Sequence, residues 1–325
     1  MVKEIVLENT KEVKSMNKLT KEILDYLVTQ YESAAKTKMI NDHSLDSEQK
    51  DYYFLRLEDN LREPMGDDAQ IQYGEGEGNE LELKMRSIRS SSALTYNLFG
   101  NGPVDIKDNN PHFTPGIYNI CYEKQLPAIR RSPRRANLDA FLESEEELIF
   151  FEMKMTEWIF NNPGMVSHNY LDKGHYFHEE SYEAFLHLIK GITMEKTTDN
   201  GAYYSKLKQY DGVQMFKHLL GIYNYLADVD QYKHKKVRLV NCVWQLPEST
   251  VLSKSSTNVY ITKKCREEEE FKQFYEAATP LIDLLVAKGI DFDILLLSVK
   301  DLMDCISYTD PQKQWLNRYL SIPQA

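Results

Sequence analysis

The sequence predicts an α/β fold, in which a mixed sheet lies among helices and further helices extend both ends. Three observations lead to this expectation. Apolar residues recur at a helical period in several long segments, whereas shorter runs alternate as β-strands do. These segments follow one another as helix, three strands, helix and strand. The chain has 325 residues, 42% of them hydrophobic and 27% charged, which is enough for a substantial core.

The helices are predicted from the spacing of their apolar residues. The first, at about 17–37, carries Leu19, Ile23, Leu24 and Leu27 at helical intervals. The remaining helices share this kind of periodicity and are expected at 82–99 with Gly100 as the C-cap, 205–228, 266–288, about 298–306 and 311–320.

The strands are predicted from β-prone composition and from the turns that separate them. They are expected at 116–124, 136–143, 148–156 and 237–246. Residues 38–80 are polar and loop-like. The GEGEGN run in this loop is not a phosphate loop, because it lacks the Gly-Lys-Ser/Thr ending.

The element order suggests one domain with additions. We predict an N-terminal helical arm and loop at 1–81 and an α/β core at 82–250. The core contains an insertion at about 157–204. A C-terminal helical cap at 251–325 is expected to belong to the same domain.

The charge balance argues against a nucleic-acid partner, since a net charge of −11 repels a phosphate backbone. One cluster departs from this balance and consists of Arg130, Arg131, Arg134 and Arg135. Such a cluster is often a solvated loop. Its place directly before Asp139 favours a role in binding phosphates.

Other features of the chain predict a cytoplasmic protein with no membrane association. No run of about 18 apolar residues is present, and the charged N-terminus lacks the apolar stretch of a signal peptide. The four cysteines lie far apart, without the spacing of a zinc site.

Two charged residues interrupt the apolar strand at 148–156. Glu152 and Lys154 share one face, about 7 Å apart by the rise of a strand. A four-residue turn at 144–147 would pair this strand with the preceding one and place Asp139 opposite Glu152. The three side chains are therefore expected to converge.

This convergence has a chemical interpretation. Two facing carboxylates repel each other unless a cation lies between them, and oxygen ligands suit Mg²⁺ or Mn²⁺. A lysine beside the metal can orient or deprotonate a water and stabilise charge on a phosphate. The pattern predicts metal-assisted phosphodiester hydrolysis. The alternative is a solvated sheet face that happens to carry Glu-x-Lys.

The segment NLDAFL…IFFEMK resembles the Asp…(Asp/Glu)-x-Lys signature of the PD-(D/E)XK nuclease superfamily. The element order over about 82–246 is similar to the restriction-endonuclease-like core of that superfamily. The segments QLPAIRRSPRRANLDAFL and QMFKHLLG are similar to those of an uncharacterised bacterial group of predicted restriction-endonuclease-like proteins. Leu138 stands where the signature has proline.

The resemblance implies a divalent-metal-dependent endonuclease that hydrolyses DNA. Asp139 and Glu152 would be ligands of Mg²⁺ or Mn²⁺, and Lys154 would be the catalytic lysine. A homodimer is a further expectation, because restriction enzymes often dimerise to cut both strands.

The resemblance also suggests roles on the following helix. Several branches carry Gln-x-x-x-Tyr there. In this sequence Gln214 and His218 lie four residues apart on one helix face. Gln214 would join the catalytic group, while Lys217 and His218 would contact nucleic acid. Glu123 on the preceding strand is a candidate for an additional glutamate.

Other functions stay open at this point. One alternative is a catalytically silent module that keeps the nuclease fold and binds nucleic acid or protein. Hydrolysis of a small phosphorylated substrate is a third reading. A zinc or iron site at His175 and His178 is less supported, because no HExxH pattern is present.

Overall fold

A six-stranded mixed sheet organises the part of the chain that the structure describes. The computed structural model describes residues 17–45, 50–76, 80–130, 135–160, 164–227, 232, 234–246 and 252–320.

The strands fall into two sheets, the larger with the order β1-β2-β3-β4-β8-β9 and the smaller with the order β5-β7-β6. In the larger sheet the first four strands are antiparallel, whereas β4, β8 and β9 are parallel. In chain order the strands are β1 (Val104–Ile106), β2 (Gly116–Leu126), β3 (Ala136–Glu143), β4 (Glu147–Lys154), β5 (Met165–Val166), β6 (Thr193–Thr197), β7 (Tyr203–Ser205), β8 (Lys236–Val243) and β9 (Asp291–Ser298).

Helices cover both faces of the larger sheet. None of those in the described ranges is long and apolar enough to cross a bilayer. The α-helices are α1 (Lys18–Ala35), α2 (Asp67–Glu75), α3 (Ser91–Phe99), α4 (Glu157–Phe160), α5 (Tyr182–Ile192), α6 (Gly212–Ala227), α7 (Lys254–Ala287), α8 (Val299–Cys305) and α9 (Asp310–Leu316).

The larger sheet separates two hydrophobic cores. The first core contains buried side chains of α1, α3 and α8. The second core contains those of α5, α6 and most of α7. Along β4, Ile149 and Phe151 belong to the first core and Leu148 and Phe150 to the second. This alternation is the expected one for a strand that is buried on both faces.

The centre of the fold agrees with the sequence-based expectation. β3 spans the predicted residues 136–143, and the predicted pairing of Glu143 with Leu148 is present. β2, β4, β8 and α1 lie within a few residues of their predicted bounds. The result is a mixed α/β architecture.

The predicted helix at 82–99 was too long. α3 begins only at Ser91, and Lys84–Arg86 forms a 3₁₀ turn. The helix starts there because the Ser90 side chain accepts a hydrogen bond from the amide of Ala93, as an N-cap does. The expected C-cap is present, since the amide of Gly100 donates to the carbonyl of Tyr96.

The C-terminal region was wrongly predicted to be helical throughout. β9, with the sequence DFDILLLS, lies parallel to β8. Its residues alternate between charged and apolar only over the first four positions, and the apolar run 295–297 that follows hides this short signal. α7 is also longer than the predicted 266–288, since its charged first half has no clear apolar period.

Two segments for which no helix or strand was predicted contain regular structure. α2 lies within 38–80, and the insertion holds α5 and the smaller sheet. The helix predicted at 205–228 begins only at Gly212, because β7 ends at Ser205 and residues 206–211 are irregular. The strands of the smaller sheet are too short for a periodicity to show, whereas α5 buries Phe185, Leu188, Ile189 and Ile192 at a helical spacing that was missed.

Helix α6 approaches the sheet very closely at Gly221. A Cβ atom there would lie 2.9 Å from the Cβ atoms of both Leu126 and Ala136. We expect Gly221→Ala to lower the free energy of unfolding by about 1–3 kcal/mol through overpacking, measured by urea denaturation. Gly74→Ala in α2 is the matched control, because no atom lies within 4 Å of its added Cβ. That control should be neutral or stabilising by up to about 1 kcal/mol. Equal effects of the two changes would contradict the close approach.

Candidate active site

The residues predicted to form a catalytic site lie together in one open cleft of about 690 Å³. Glu123, Asp139, Glu152, Lys154 and Gln214 all line it, and we call it the central cleft. They come from β2, β3, β4 and α6. Elements far apart in sequence therefore meet at this point.

The hairpin formed by β3 and β4 has the predicted register. Ala140 lies opposite Phe151, and continuing the same register by one residue places Asp139 opposite Glu152. The Oδ2 atom of Asp139 accepts a hydrogen bond of 2.6 Å from the amide of Met153. The Asp139 carboxylate is thereby fixed between the two charged residues of β4.

The central cleft lies beside a point in β2 at which the alternation of side chains between the two faces of the sheet is interrupted. Tyr118 and Tyr122 belong to the first core, whereas Leu126 belongs to the second. Strict alternation would keep all three on one face. The change occurs at Glu123, whose φ of 50° lies in the left-handed region that side chains with a Cβ rarely adopt.

The neighbouring strand β3 changes faces at the same level. Ala140 and Leu142 belong to the first core, and Leu138 belongs to the second. The pairs before and after this point keep one register, but Glu123 and Asp139, which lie opposite each other, do not pair in the β-ladder. Both carboxylates therefore occupy a break in the pairing of the two strands.

Helix α6 contacts the two charged residues of β4 at a matching spacing. Lys154 Nζ donates to Gln214 Oε1 over 2.7 Å, and His218 Nε2 lies 2.8 Å from Glu152 Oε2. Four helical residues rise about 6 Å and two strand residues about 6.6 Å, so both contacts can form together. Asp211 fixes the start of the helix, because its Oδ1 accepts the amide of Gln214 over 3.0 Å.

Glu152 and Lys154 form an ion pair of 2.6 Å whose side chains retain only 3% and 16% of their exposure. Burial alone would raise the pKa of Glu152, but Lys154 and His218 outweigh it and lower that pKa to about 2. Burial likewise works to lower the pKa of Lys154, and Glu152 and Asp211 more than reverse this, leaving it above its ordinary value. The ion pair therefore favours the ammonium form of Lys154.

The other two carboxyl groups have the opposite tendency. Burial raises the pKa of Asp139 well above its usual range, and the charges of Glu152 and Glu123 raise it further. Burial also raises the pKa of Glu123 to about 7, although a hydrogen bond from Asn137 works against this. Burial and mutual repulsion therefore favour the protonated forms of these two groups, and carboxyl groups outnumber the basic side chains that line the cleft.

This excess of carboxylate is the donor chemistry that a hard divalent cation requires. Among the described residues, no three His, Cys, Asp or Glu side chains are grouped so that they could hold a metal by themselves. Two carboxylates suffice for Mg²⁺, which keeps several waters. Asp139 and Glu152 fit such a role, although both oxygens of Glu152 already have cationic or imidazole partners.

Two carboxylates of the central cleft were missed by the sequence analysis, those of Glu80 and of Glu157 at the start of α4. Glu80 also lines it, and its oxygens lie 2.8 Å from both Lys84 Nζ and Ser92 Oγ. Glu80 follows the GEGEGN run, which was interpreted only as a flexible loop. An acidic residue in a loop carries no periodicity that would indicate its direction, so no sequence signal was available.

The arginine cluster is described in part. Arg131 and Arg134 lie outside the described residues. The guanidinium group of Arg130 donates to the carbonyl of Phe177 over 3.2 Å and lies 5.8 Å from the centre of that ring. Arg130 therefore connects the loop to the insertion.

A second cleft of about 540 Å³, the side cleft, adjoins the central one. The two share Asn137 and Gln214, and the side cleft is also lined by Arg135 and Lys217. Predicted nucleic-acid contacts are thus found beside the central cleft.

His218 has surroundings that differ from the predicted contact with nucleic acid. It is only 2% exposed, and its Nε2 is engaged by Glu152. Its Nδ1 atom is buried without a hydrogen-bond partner. His175 and His178, considered for a metal site, approach different carboxylates, those of Asp172 and Glu180.

The raised pKa of Glu123 predicts a pH-dependent stability. Because this pKa is about 7 in the folded protein against an ordinary 4.5, folded Glu123 holds its proton more tightly than the unfolded chain does. Stability is therefore lost as pH rises from about 4.5 to about 7. In EDTA, Glu123→Gln should be more stable than wild type by about 3 kcal/mol above pH 7, with little difference at pH 4.5. Urea denaturation across this range tests it. Glu145→Gln in the exposed turn is the control, and a pH-independent difference for Glu123→Gln would contradict the prediction.

Comparison with known proteins adds a family to this geometry. Residues 30–243 match the model of a family described as "Restriction Endonuclease associating with ARP". No curated protein and no solved structure gives a significant match. The matched range covers about two thirds of the chain and includes all residues that line the central cleft. The chain therefore belongs to this restriction-endonuclease family.

Proposed function

We propose that the protein is a divalent-metal-dependent endonuclease of the PD-(D/E)XK type that hydrolyses phosphodiester bonds of DNA. The observation that carries this proposal is the meeting of Asp139, Glu152 and Lys154 in one cleft. Family membership supports a nuclease-like function. The order of β2, β3, β4, α6 and β8 is compatible with the core of that superfamily.

The metal would be Mg²⁺ or Mn²⁺, held by Asp139 and Glu152. When bound, such an ion activates a water and offsets charge on the phosphate. The surplus of carboxyl groups in the central cleft supports its binding, because burial and the charges of Glu152 and Glu123 disfavour an ionised Asp139, and a cation would offset both effects.

Lys154 acts as a fixed positive charge in this proposal. Its raised pKa keeps the ammonium group protonated at neutral pH, so it stabilises negative charge on the phosphate and does not remove a proton. Gln214 holds the ammonium group through its Oε1 atom. His218 orients Glu152, which replaces the contact with nucleic acid that was first expected of it.

The side cleft supports a path for DNA beside the site. Arg135 and Lys217 supply positive charge there, and the shared Asn137 and Gln214 connect this charge to the reacting centre. Phosphate contacts of this kind position a duplex without reading its sequence.

One observation favours the alternative of a catalytically silent binding module. Both oxygens of Glu152 already have partners, so Glu152 can serve a metal only if one partner shares it. A silent module would bind nucleic acid or a protein through the same clefts. The description of the family names an association with ARP, which makes a protein partner a second role for this chain.

Cleavage assays separate the two roles. We expect Asp139→Asn and Lys154→Gln each to reduce cleavage of supercoiled plasmid by about 100-fold or more in Mg²⁺ or Mn²⁺. Asp139→Asn should also abolish the rise in melting temperature on metal addition, because it removes a ligand charge. Lys154→Gln should keep that rise, since both carboxylates remain.

The matched control is Lys300→Gln, which removes an exposed lysine of α8 that pairs with Asp304. It should cut as wild type does. Lys154→Gln cutting at the wild-type rate would refute the mechanism. A wild-type protein that shifts DNA on a gel but leaves it intact in every metal would establish the binding module instead.

The salt dependence of DNA binding tests the side cleft. Arg135→Gln should lower the log–log slope of affinity against salt concentration by about 0.9 on duplex DNA, the value for one lost phosphate contact. Arg130→Gln should change it less, because that guanidinium group is engaged by Phe177. Fluorescence anisotropy in EDTA measures both, and an unchanged slope for Arg135→Gln would assign it to a solvated loop.

A further inference from the structure

One wall of the central cleft consists of the serine-rich segment that leads into α3. Ser87, Arg89, Ser90, Ser91 and Ser92 all line the cleft. The predicted catalytic groups lie on other elements, so this wall has no part in the chemistry proposed above.

The first turn of α3 directs backbone donors to this wall. The amide of Ser90 donates to the carbonyl of Ser87, and the side chain of Ser90 caps the amide of Ala93. The cap leaves the amides of Ser91 and Ser92 as the remaining donors of the first turn. α3 has nine residues, and the positive end of its dipole lies at the same place.

An independent feature marks the same wall as a binding site. Ser87 is only 6% exposed, and its hydroxyl is a buried polar group for which the described residues offer no hydrogen-bond partner. A buried hydroxyl without a partner is unfavourable unless a ligand satisfies it. Ser87 and Arg89 both line the cleft. A ligand that occupies this part of the cleft would therefore be next to both residues.

We propose that Ser87, Arg89 and the first turn of α3 form a phosphate-binding subsite for a phosphate of the nucleic acid other than the one that is cut. The inference rests on the proposed nuclease function and specifies how its substrate is held. Backbone amides at a helix start, a hydroxyl and a guanidinium group are the donors that a phosphate selects.

The charges in the cleft are compatible with this division of roles. Glu80, the carboxylate closest in sequence, is held by Lys84 and Ser92. Glu123 and Asp139 lie on the strands and attract a cation instead. Carboxylates on the strands and hydrogen-bond donors on the serine-rich wall can therefore hold a metal and a phosphate side by side.

Binding of short duplexes by the full-length protein in EDTA tests the subsite. Arg89→Gln should weaken binding about 10-fold at low salt and lower the salt slope by about 0.9. Ser87→Ala should weaken binding about 3-fold or more while leaving the melting temperature unchanged or higher, because it removes a buried hydroxyl that has no hydrogen-bond partner among the described residues. A merely structural serine would lower the melting temperature instead.

Matched controls are Arg56→Gln, an exposed arginine paired with Asp59, and Ser255→Ala at the exposed start of α7. Duplexes with 5′-hydroxyl and with 5′-phosphate ends identify the source of the phosphate. Equal losses on both duplexes assign an internal phosphodiester, and a loss confined to the phosphorylated duplex assigns a terminal phosphate.

Wild-type affinity on both duplexes for Arg89→Gln and Ser87→Ala would overturn the subsite. Plasmid cleavage by the same proteins keeps this result separate from the nuclease proposal. If wild type does not cut but the two variants bind less tightly, the subsite stands and the nuclease function fails. If wild type cuts and the variants bind normally, the nuclease function stands and the subsite fails.

Discussion

The buried ion pair between Glu152 and Lys154 is the interaction on which the arrangement of the central cleft depends. Removing such a pair from water costs several kcal/mol for each ion unless further partners compensate. α6 supplies those partners, Gln214 for the ammonium group and His218 for the carboxylate. The helix must therefore lie close against the sheet, and Gly221 is the residue that permits this distance.

The central hairpin could be predicted because local rules determine it. A short turn fixes the register, and the apolar run of β4 makes its two charges conspicuous. Those rules brought Asp139, Glu152 and Lys154 together correctly. The same helix spacing that related Gln214 to His218 also holds.

The remaining features depend on properties that a sequence pattern does not contain. The left-handed backbone at Glu123 moves the following side chains of β2 to the other face, and no glycine indicates this change. Glu80 reaches the cleft from a loop. β9 alternates only over its first four residues, which is too short a signal to distinguish a strand. His218 is buried because of its partner Glu152, whereas the helix pattern alone suggested a polar rim.

The serine-rich wall is held in place from the opposite end of the chain. Asn60 Nδ2 donates to the carbonyls of Met85 and Ser87 over 2.7 and 3.0 Å. Arg318 donates to Asn60 Oδ1 over 2.6 Å and is itself only 3% exposed. No carboxylate balances this buried guanidinium group in the hydrogen bonds and ion pairs of the described residues. Its positive charge is instead surrounded by aromatic rings, those of Tyr31, Phe54, Trp315 and Tyr319.

Through these contacts the terminal segments also support the serine-rich wall of the cleft. α1 and the segment after α9 supply rings that cage Arg318, Arg318 orients Asn60, and Asn60 fixes the backbone of Ser87. The carboxylates of the cleft are held separately, by the β3–β4 hairpin and α6. In the proposed function this site attracts a cation and an anion to neighbouring positions, and each of its two walls is held in place by its own supporting contacts. Under the proposed function the acidic net charge of the chain would not prevent nucleic-acid binding, since the proposed phosphate donors are fixed locally and act at short range, where screening is weak.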